Sequence, residues 1–100
     1  MSESLYTWGG TYFGKRDGDS LFTLNGVEAG RFHGDEIYGA DGVYVGELKN
    51  GKLITNLSKT SRRKGSFTPR YKGGHVGYVG HIGSVMAVGY EDFPDPETFK

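Results

Sequence analysis

The chain of 100 residues has no cysteine, one tryptophan and three prolines. Without cysteine there is no disulfide, no thiolate metal site and no thiol nucleophile. No apolar run approaches the ~18 residues that a membrane-spanning helix needs. The opening stretch, MSESLYTWGG, has neither a basic start nor an apolar core. A signal peptide is therefore not expected, and a cytoplasmic address is. In that compartment the sequon at Asn56-Leu57-Ser58 carries no sugar.

Catalytic signatures are missing as well. There is no Gly-x-Ser-x-Gly elbow, phosphate loop or dinucleotide fingerprint, so an enzyme is not expected. His33 opens the turn His33-Gly34-Asp35-Glu36, but the matching turns carry Asp17 and Lys49, and no ligand pattern repeats. His75 and His81 stand six apart, which fits no standard zinc spacing. Asp17-Gly18-Asp19-Ser20 has only the beginning of a calcium loop. Asp19 and Asp35 are equivalent turn positions, as hairpin chemistry favours, and not a catalytic pair. No metal or cofactor is expected.

What the chain does contain is glycine, 18 residues of it, and aromatics, 14 %. Both recur in order. SLYTWGG (4–10) is followed sixteen residues later by SLFTLNG (20–26), then by EIYGADG (36–42) and KLITNLS (52–58). Three full units, 11–26, 27–42 and 43–58, place Gly14, Gly30 and Gly46 in register, and likewise Leu21, Ile37 and Leu53, preceded by Leu5. Asn25-Gly26 and Asp41-Gly42 are hairpin dipeptides, and Gly18-Asp19, Gly34-Asp35 and Asn50-Gly51 mark the other ends. Such a period leaves about five residues per strand, too few for helices. The fold class expected is all-β, an antiparallel hairpin meander of roughly seven or eight strands. Simple alternation puts Val27, Ala29 and Arg31 on one face and Glu28, Gly30 and Phe32 on the other. Three glycines in register mid-strand imply converging backbones, or a ring lying over the missing side chain.

The pattern Leu/Ile-Tyr/Phe-x-x-Asp/Asn-Gly followed by an alternating apolar run and Gly resembles the bacterial four-fold β-flower proteins. Gly34-Asp35-Glu36-Ile37-Tyr38, Gly46-Glu47-Leu48, Lys52-Leu53-Ile54-Thr55-Asn56 and Gly89-Tyr90-Glu91-Asp92-Phe93-Pro94 carry the likeness. It covers 4–58 well and the rest loosely, and implies a rosette of petal-like hairpins with internal four-fold symmetry. It brings no catalytic residue with it. A MORN-type array has a longer period and a tyrosine–glycine–tryptophan spacing that this chain lacks.

The net charge of zero hides a segregation: residues 1–47 carry −5, 48–90 carry +8 without one acid, and 91–100 carry −3. Three regions follow: a repeat domain (1–58), a basic loop or linker (59–72), and a Gly-rich extended segment with an acidic tail (73–100) packed on the same domain. The linker holds Lys59, Arg62, Arg63, Lys64, Arg70 and Lys72, half of the chain's basic residues, interleaved with Phe67 and Tyr71. It is the candidate site for a polyanion, either nucleic acid or an anionic membrane surface; the bland reading is a solvated charge run. In the segment that follows, Gly74, Gly77, Gly80 and Gly83 recur every third residue, which suits an extended run against the rosette. The acidic tail, kept out of helix by its prolines, is expected to fold over the linker and mask it. Tyr6, Phe22 and Tyr38 fall on the pleat opposite the leucine row. If uncovered, they form an apolar patch for an unknown protein or small apolar ligand. The functional expectation is a non-enzymatic binding scaffold, with polyanion binding as the alternative.

Overall fold

A computed structural model describes residues 2–71, 88–94 and 96–99. The turns are where the sequence acts most directly. Gly18, Gly34 and Gly51 have φ of 61°, 67° and 75°, and Asn50 has 54°, all in the left-handed region that Gly and Asn tolerate. Gly10, Gly26 and Gly42 have φ of 96°, 85° and 83° and donate to the carbonyls of Thr7, Thr23 and Gly39 at 2.9 Å.

Between these turns run β1 (Ser2–Tyr6), β2 (Tyr12–Asp17), β3 (Ser20–Thr23), β4 (Glu28–His33), β5 (Glu36–Tyr38), β6 (Tyr44–Lys49), β7 (Lys52–Asn56) and β8 (Tyr90–Asp92). They form one antiparallel sheet in chain order, an all-β meander. The sheet curls on itself. Thr7 bridges Leu53 in parallel, and the Trp8 N–H donates to the Leu53 carbonyl at 2.7 Å, so the end of β1 meets β7. No described helix is long and apolar enough to cross a membrane.

The sheet has three register shifts that alternation alone does not foresee. Leu5 faces Gly14 but Tyr6 faces Tyr12; Leu21 faces Gly30 but Phe22 faces Glu28; Ile37 faces Gly46 but Tyr38 faces Tyr44. Each shift leaves one extra residue, Phe13, Ala29 or Val45, and a bulge of this kind re-aims the side chains around it. Phe13 and Ala29 join the core with Leu5, Leu21, Phe32, Ile37, Leu53 and Phe93, and Val45, Leu48 and Phe99 pack against it. The expected face of Val27, Ala29 and Arg31 is therefore broken. Ala29 turns inward, while Glu28 and Arg31, three apart, share the outer face with Ser20, Phe22 and Tyr38.

The glycines stand where backbones converge. A Cβ on Gly14 would meet the Phe22 carbonyl oxygen, and one on Gly30 would come 2.8 Å from the Tyr38 carbonyl oxygen. A Cβ on Gly46 would enter the Phe93 ring, so both reasons for a mid-strand glycine operate in one molecule. Phe93 also lies edge-on to Phe13 at 5.1 Å and stacks on Phe99 at 6.3 Å.

Beyond the sheet there are 3-10 turns at Leu57–Lys59 and Pro96–Phe99. The second lies in the tail, where Pro96 opens it at a position in which a fixed φ and a missing N–H are harmless. The glycine ladder at Gly74, Gly77, Gly80 and Gly83 lies outside the described residues.

Candidate functional site

The bulges leave Tyr44 and Glu28 at the starts of β6 and β4 with backbone N–H groups that β5 and β3 do not take. The segment 57–71 takes them. The Tyr44 N–H donates to the Arg62 carbonyl at 3.0 Å, and the Glu28 N–H to the Arg70 carbonyl at 2.9 Å. Val43 bridges Arg63, and Val27 bridges Tyr71, both antiparallel. In between, Lys64 donates to the Gly42 carbonyl at 2.7 Å and Phe67 to the Ala40 carbonyl at 2.9 Å. The basic segment is thus a strap laid across the outer face, from β7 past β6 to β4.

Ion pairs fix the strap at both ends. Near its start, the Lys59 ammonium bridges Glu36 Oε2 at 3.1 Å and Glu47 Oε1 at 3.0 Å. Arg62 adds a second pair to Glu36 at 3.1 Å. The Tyr38 and Tyr44 hydroxyls donate to Glu36 and Glu47 at 2.8 Å each, and the Tyr44 oxygen accepts from the Asn56 N–H at 3.0 Å. The Tyr38 hydroxyl, then Lys59, hold the Glu36 carboxyl below its usual range. Glu47 first, and then Glu36, push the Lys59 ammonium up. Burial, reinforced by the neighbouring carboxylates, pushes both tyrosine hydroxyls up.

At the far end sits Glu28, whose side chain is wholly inaccessible to solvent. Its carboxylate accepts from Arg31 Nε at 3.0 Å, the Arg70 N–H at 3.0 Å and Arg70 Nε at 3.4 Å. Arg70 also donates to Ser20 Oγ at 2.6 Å. Burial alone would raise the Glu28 carboxyl, but hydrogen bonds from Arg31, Ser20 and the Arg70 backbone outweigh it and hold the group below its ordinary value. The Arg31 guanidinium lies 4.1 Å from the Phe67 ring centre, so strap and strand grip each other.

Two clefts flank this anchor. One, of about 420 Å³, is largely apolar and runs between Val27, Ala29, Ala40, Val45, Pro69 and Phe99. The other, of about 520 Å³, is lined by the turn Asp17–Ser20 with Arg31 and Arg70. Among the described residues no three His, Cys, Asp or Glu side chains are grouped to hold a metal ion.

Of the candidate polyanion residues, Lys59, Arg62 and Arg70 are paired with the chain's own carboxylates. Lys64 stands 5.8 Å from the Tyr38 ring centre, Arg63 is exposed, and Lys72 lies outside the described residues. Of the candidate apolar face, Phe22 and Tyr38 are buried, with Arg70 and Lys64 over their rings, while Tyr6 is half-buried against Tyr12 at 5.3 Å. Of the acidic tail, Asp92 lies away from the strap, accepting from the Gly9 N–H at 3.1 Å and 3.5 Å from the Thr7 hydroxyl, while Asp95 lies outside the described residues. His33 is exposed, its ring 5.3 Å from Tyr38; His75 and His81 lie outside the described residues. Sequence reading missed Ser20, Glu28, Arg31, Glu36, Tyr44 and Glu47 as a site. The available signal was the charge segregation, since an acid-free basic segment in a neutral chain has its counter-charge in the same molecule.

Compared with known proteins, the chain matches no family model, and neither a curated protein nor a solved structure matches it significantly.

Proposed function

We propose that the protein is a non-enzymatic binding scaffold whose recognition surface is the outer face lined by Phe22, Glu28, Glu36, Tyr38, Tyr44 and Glu47. The observation that carries this reading is the strap itself: a segment with no strand and only one 3-10 turn is held there by backbone bridges, rings and carboxylates together. Sheet proteins recognise extended chains in this manner, with main-chain bonds for affinity and side-chain pockets for specificity. A four-fold β-flower arrangement is part of the reading, supported by bulges and turns that recur at sixteen-residue intervals. The bacterial setting rests on the family resemblance alone.

An apolar fluorescent dye tests the surface. Wild-type protein, with Phe22 and Tyr38 covered, is expected to bind it weakly, and a folded Arg62→Ala/Arg70→Ala variant with a loosened strap to bind it well. Equal, weak binding by both would mean that no usable surface lies beneath.

Polyanion binding is the second reading, favoured by the exposed pair Arg63 and Lys64 at the crest of the strap. It now has fewer cations to work with, because Lys59, Arg62 and Arg70 are committed within the chain.

A further inference from the structure

We propose that the outer face docks a basic segment of a partner protein, and that 57–71 is its resident, displaceable occupant. The proposal rests on the reading of that face as a binding surface and names the chemistry of its ligand.

The strap and the face it covers differ in a way that points to exchange. From 60 to 71 every residue is exposed except half-buried Phe67, and no strap residue belongs to the core. Beneath it, Glu28, Phe22, Tyr38 and Tyr44 are buried. The strap therefore gains little burial of its own: the cations of Arg62 and Arg70 are exposed, and Lys59 is its one half-buried cation. Segments of this kind open well before the whole molecule unfolds. The face, in contrast, is costly to leave bare: it would present the rings of Phe22, Tyr38 and Tyr44, a carboxylate in a dry setting, and the unpaired N–H groups of Glu28 and Tyr44.

The resident also specifies what can replace it. Lys59 meets Glu36 and Glu47, Arg62 meets Glu36, Phe67 lies under Arg31, and Arg70 meets Glu28. The pattern is Lys-x-x-Arg closed by a turn in which the Arg62 N–H donates to the Lys59 carbonyl, then four residues, an aromatic, two more and Arg without a further helical turn, with carbonyls aimed at Tyr44 and Glu28. Nucleic acid does not fit, since the surface beneath the strap is acidic. A competing segment must overcome an effective strap concentration in the millimolar range. Ordinary basic peptides are thereby excluded, and a partner carrying the full pattern is selected.

The test uses the full chain with Lys59→Ala, Arg62→Ala and Arg70→Ala, and a fluorescent synthetic peptide of residues 57–71. Anisotropy should show binding to this variant below about 100 μM, and at least about tenfold weaker binding to wild type. Adding Glu28→Gln and Glu36→Gln to the variant should abolish binding, and a scrambled peptide of equal charge should bind about tenfold more weakly. Should the triple variant not fold, Arg62→Ala alone, at an exposed position, serves in its place with a smaller gain. If the loosened variant binds the apolar dye but not the peptide, the surface stands and this ligand assignment falls. Equal binding of the scrambled peptide would also overturn it, leaving only generic charge attraction.

Discussion

Glu28 shows how one side chain can tie a local irregularity to a distant segment. It faces Phe22 because of the bulge at Ala29, and for the same reason it shares a face with Arg31. Position 28 corresponds by the sixteen-residue interval to Tyr12 and Tyr44, so the carboxylate is peculiar to this hairpin. Glu28→Gln places an amide NH2 against groups that are themselves donors, and is expected to cost about 1–3 kcal/mol by urea denaturation at neutral pH. The pH dependence has a definite sign. The folded carboxyl sits below its ordinary value of 4.5, so its contribution is fully present above that value and is lost as the pH falls through the lowered one. The stability lost between neutral and acid pH should accordingly be smaller in Glu28→Gln than in wild type. Glycine positions make a sharper test of packing. Gly14→Ala drives a methyl into the Phe22 carbonyl and should cost about 3 kcal/mol or more, whereas Gly65→Ala, with open space around it, should be nearly neutral. Thermal melts of the two variants separate these outcomes.

Among the elements, the strands and turns were legible because their causes are local. Gly26 and Gly42 supply positive φ where a turn needs it, and the row Leu5, Leu21, Ile37 and Leu53 marks the core. The bulges were not legible: an inserted residue such as Ala29 leaves no mark in the apolar periodicity, and it reverses every face assignment before it in the strand. The strap was half legible. Its charge and its irregular backbone were evident, but its partners Glu28, Glu36 and Glu47 are distant in sequence and become neighbours only once the register is known. This bears on polyanion binding. If all six cations of 59–72 met phosphates, log K would fall against log salt with a slope of about −5, but Arg63 and Lys64 alone give about −2. Titration of labelled mixed-sequence duplex DNA from about 50 to about 300 mM salt reads the slope. A value near −2 that vanishes in Arg63→Ala/Lys64→Ala fits the strapped state, and a steeper slope would show that polyanion pulls the strap away.

At the scale of the whole molecule, a meander of consecutive hairpins has a weakness, because each strand depends mainly on its sequence neighbours and the sheet could fray from either edge. Two contacts oppose this by joining opposite ends of the chain. Phe93 fills the space at Gly46 and touches Phe13, coupling β8, β6 and β2 through the core. Asp92, one residue earlier, spans the seam at the end of β1 by accepting from Gly9 near the Thr7–Leu53 bridge. The two residues should fail differently. Phe93→Ala opens a core cavity and is expected to cost about 3–5 kcal/mol of global stability. Asp92→Ala removes surface hydrogen bonds worth about 1 kcal/mol in total, but removes them at the seam. Trp8, buried there with its N–H on Leu53, is the reporter. In wild type, Trp8 fluorescence and far-ultraviolet circular dichroism should report one coincident urea transition. In Asp92→Ala the fluorescence change should come first, as β1 parts from β7 while the other hairpins stay paired. In Phe93→Ala both signals should move together to lower urea. If the Asp92→Ala transitions coincide instead, the seam is held by the Thr7–Leu53 bridge without help from the carboxylate, and the curled sheet is one cooperative unit up to its edge.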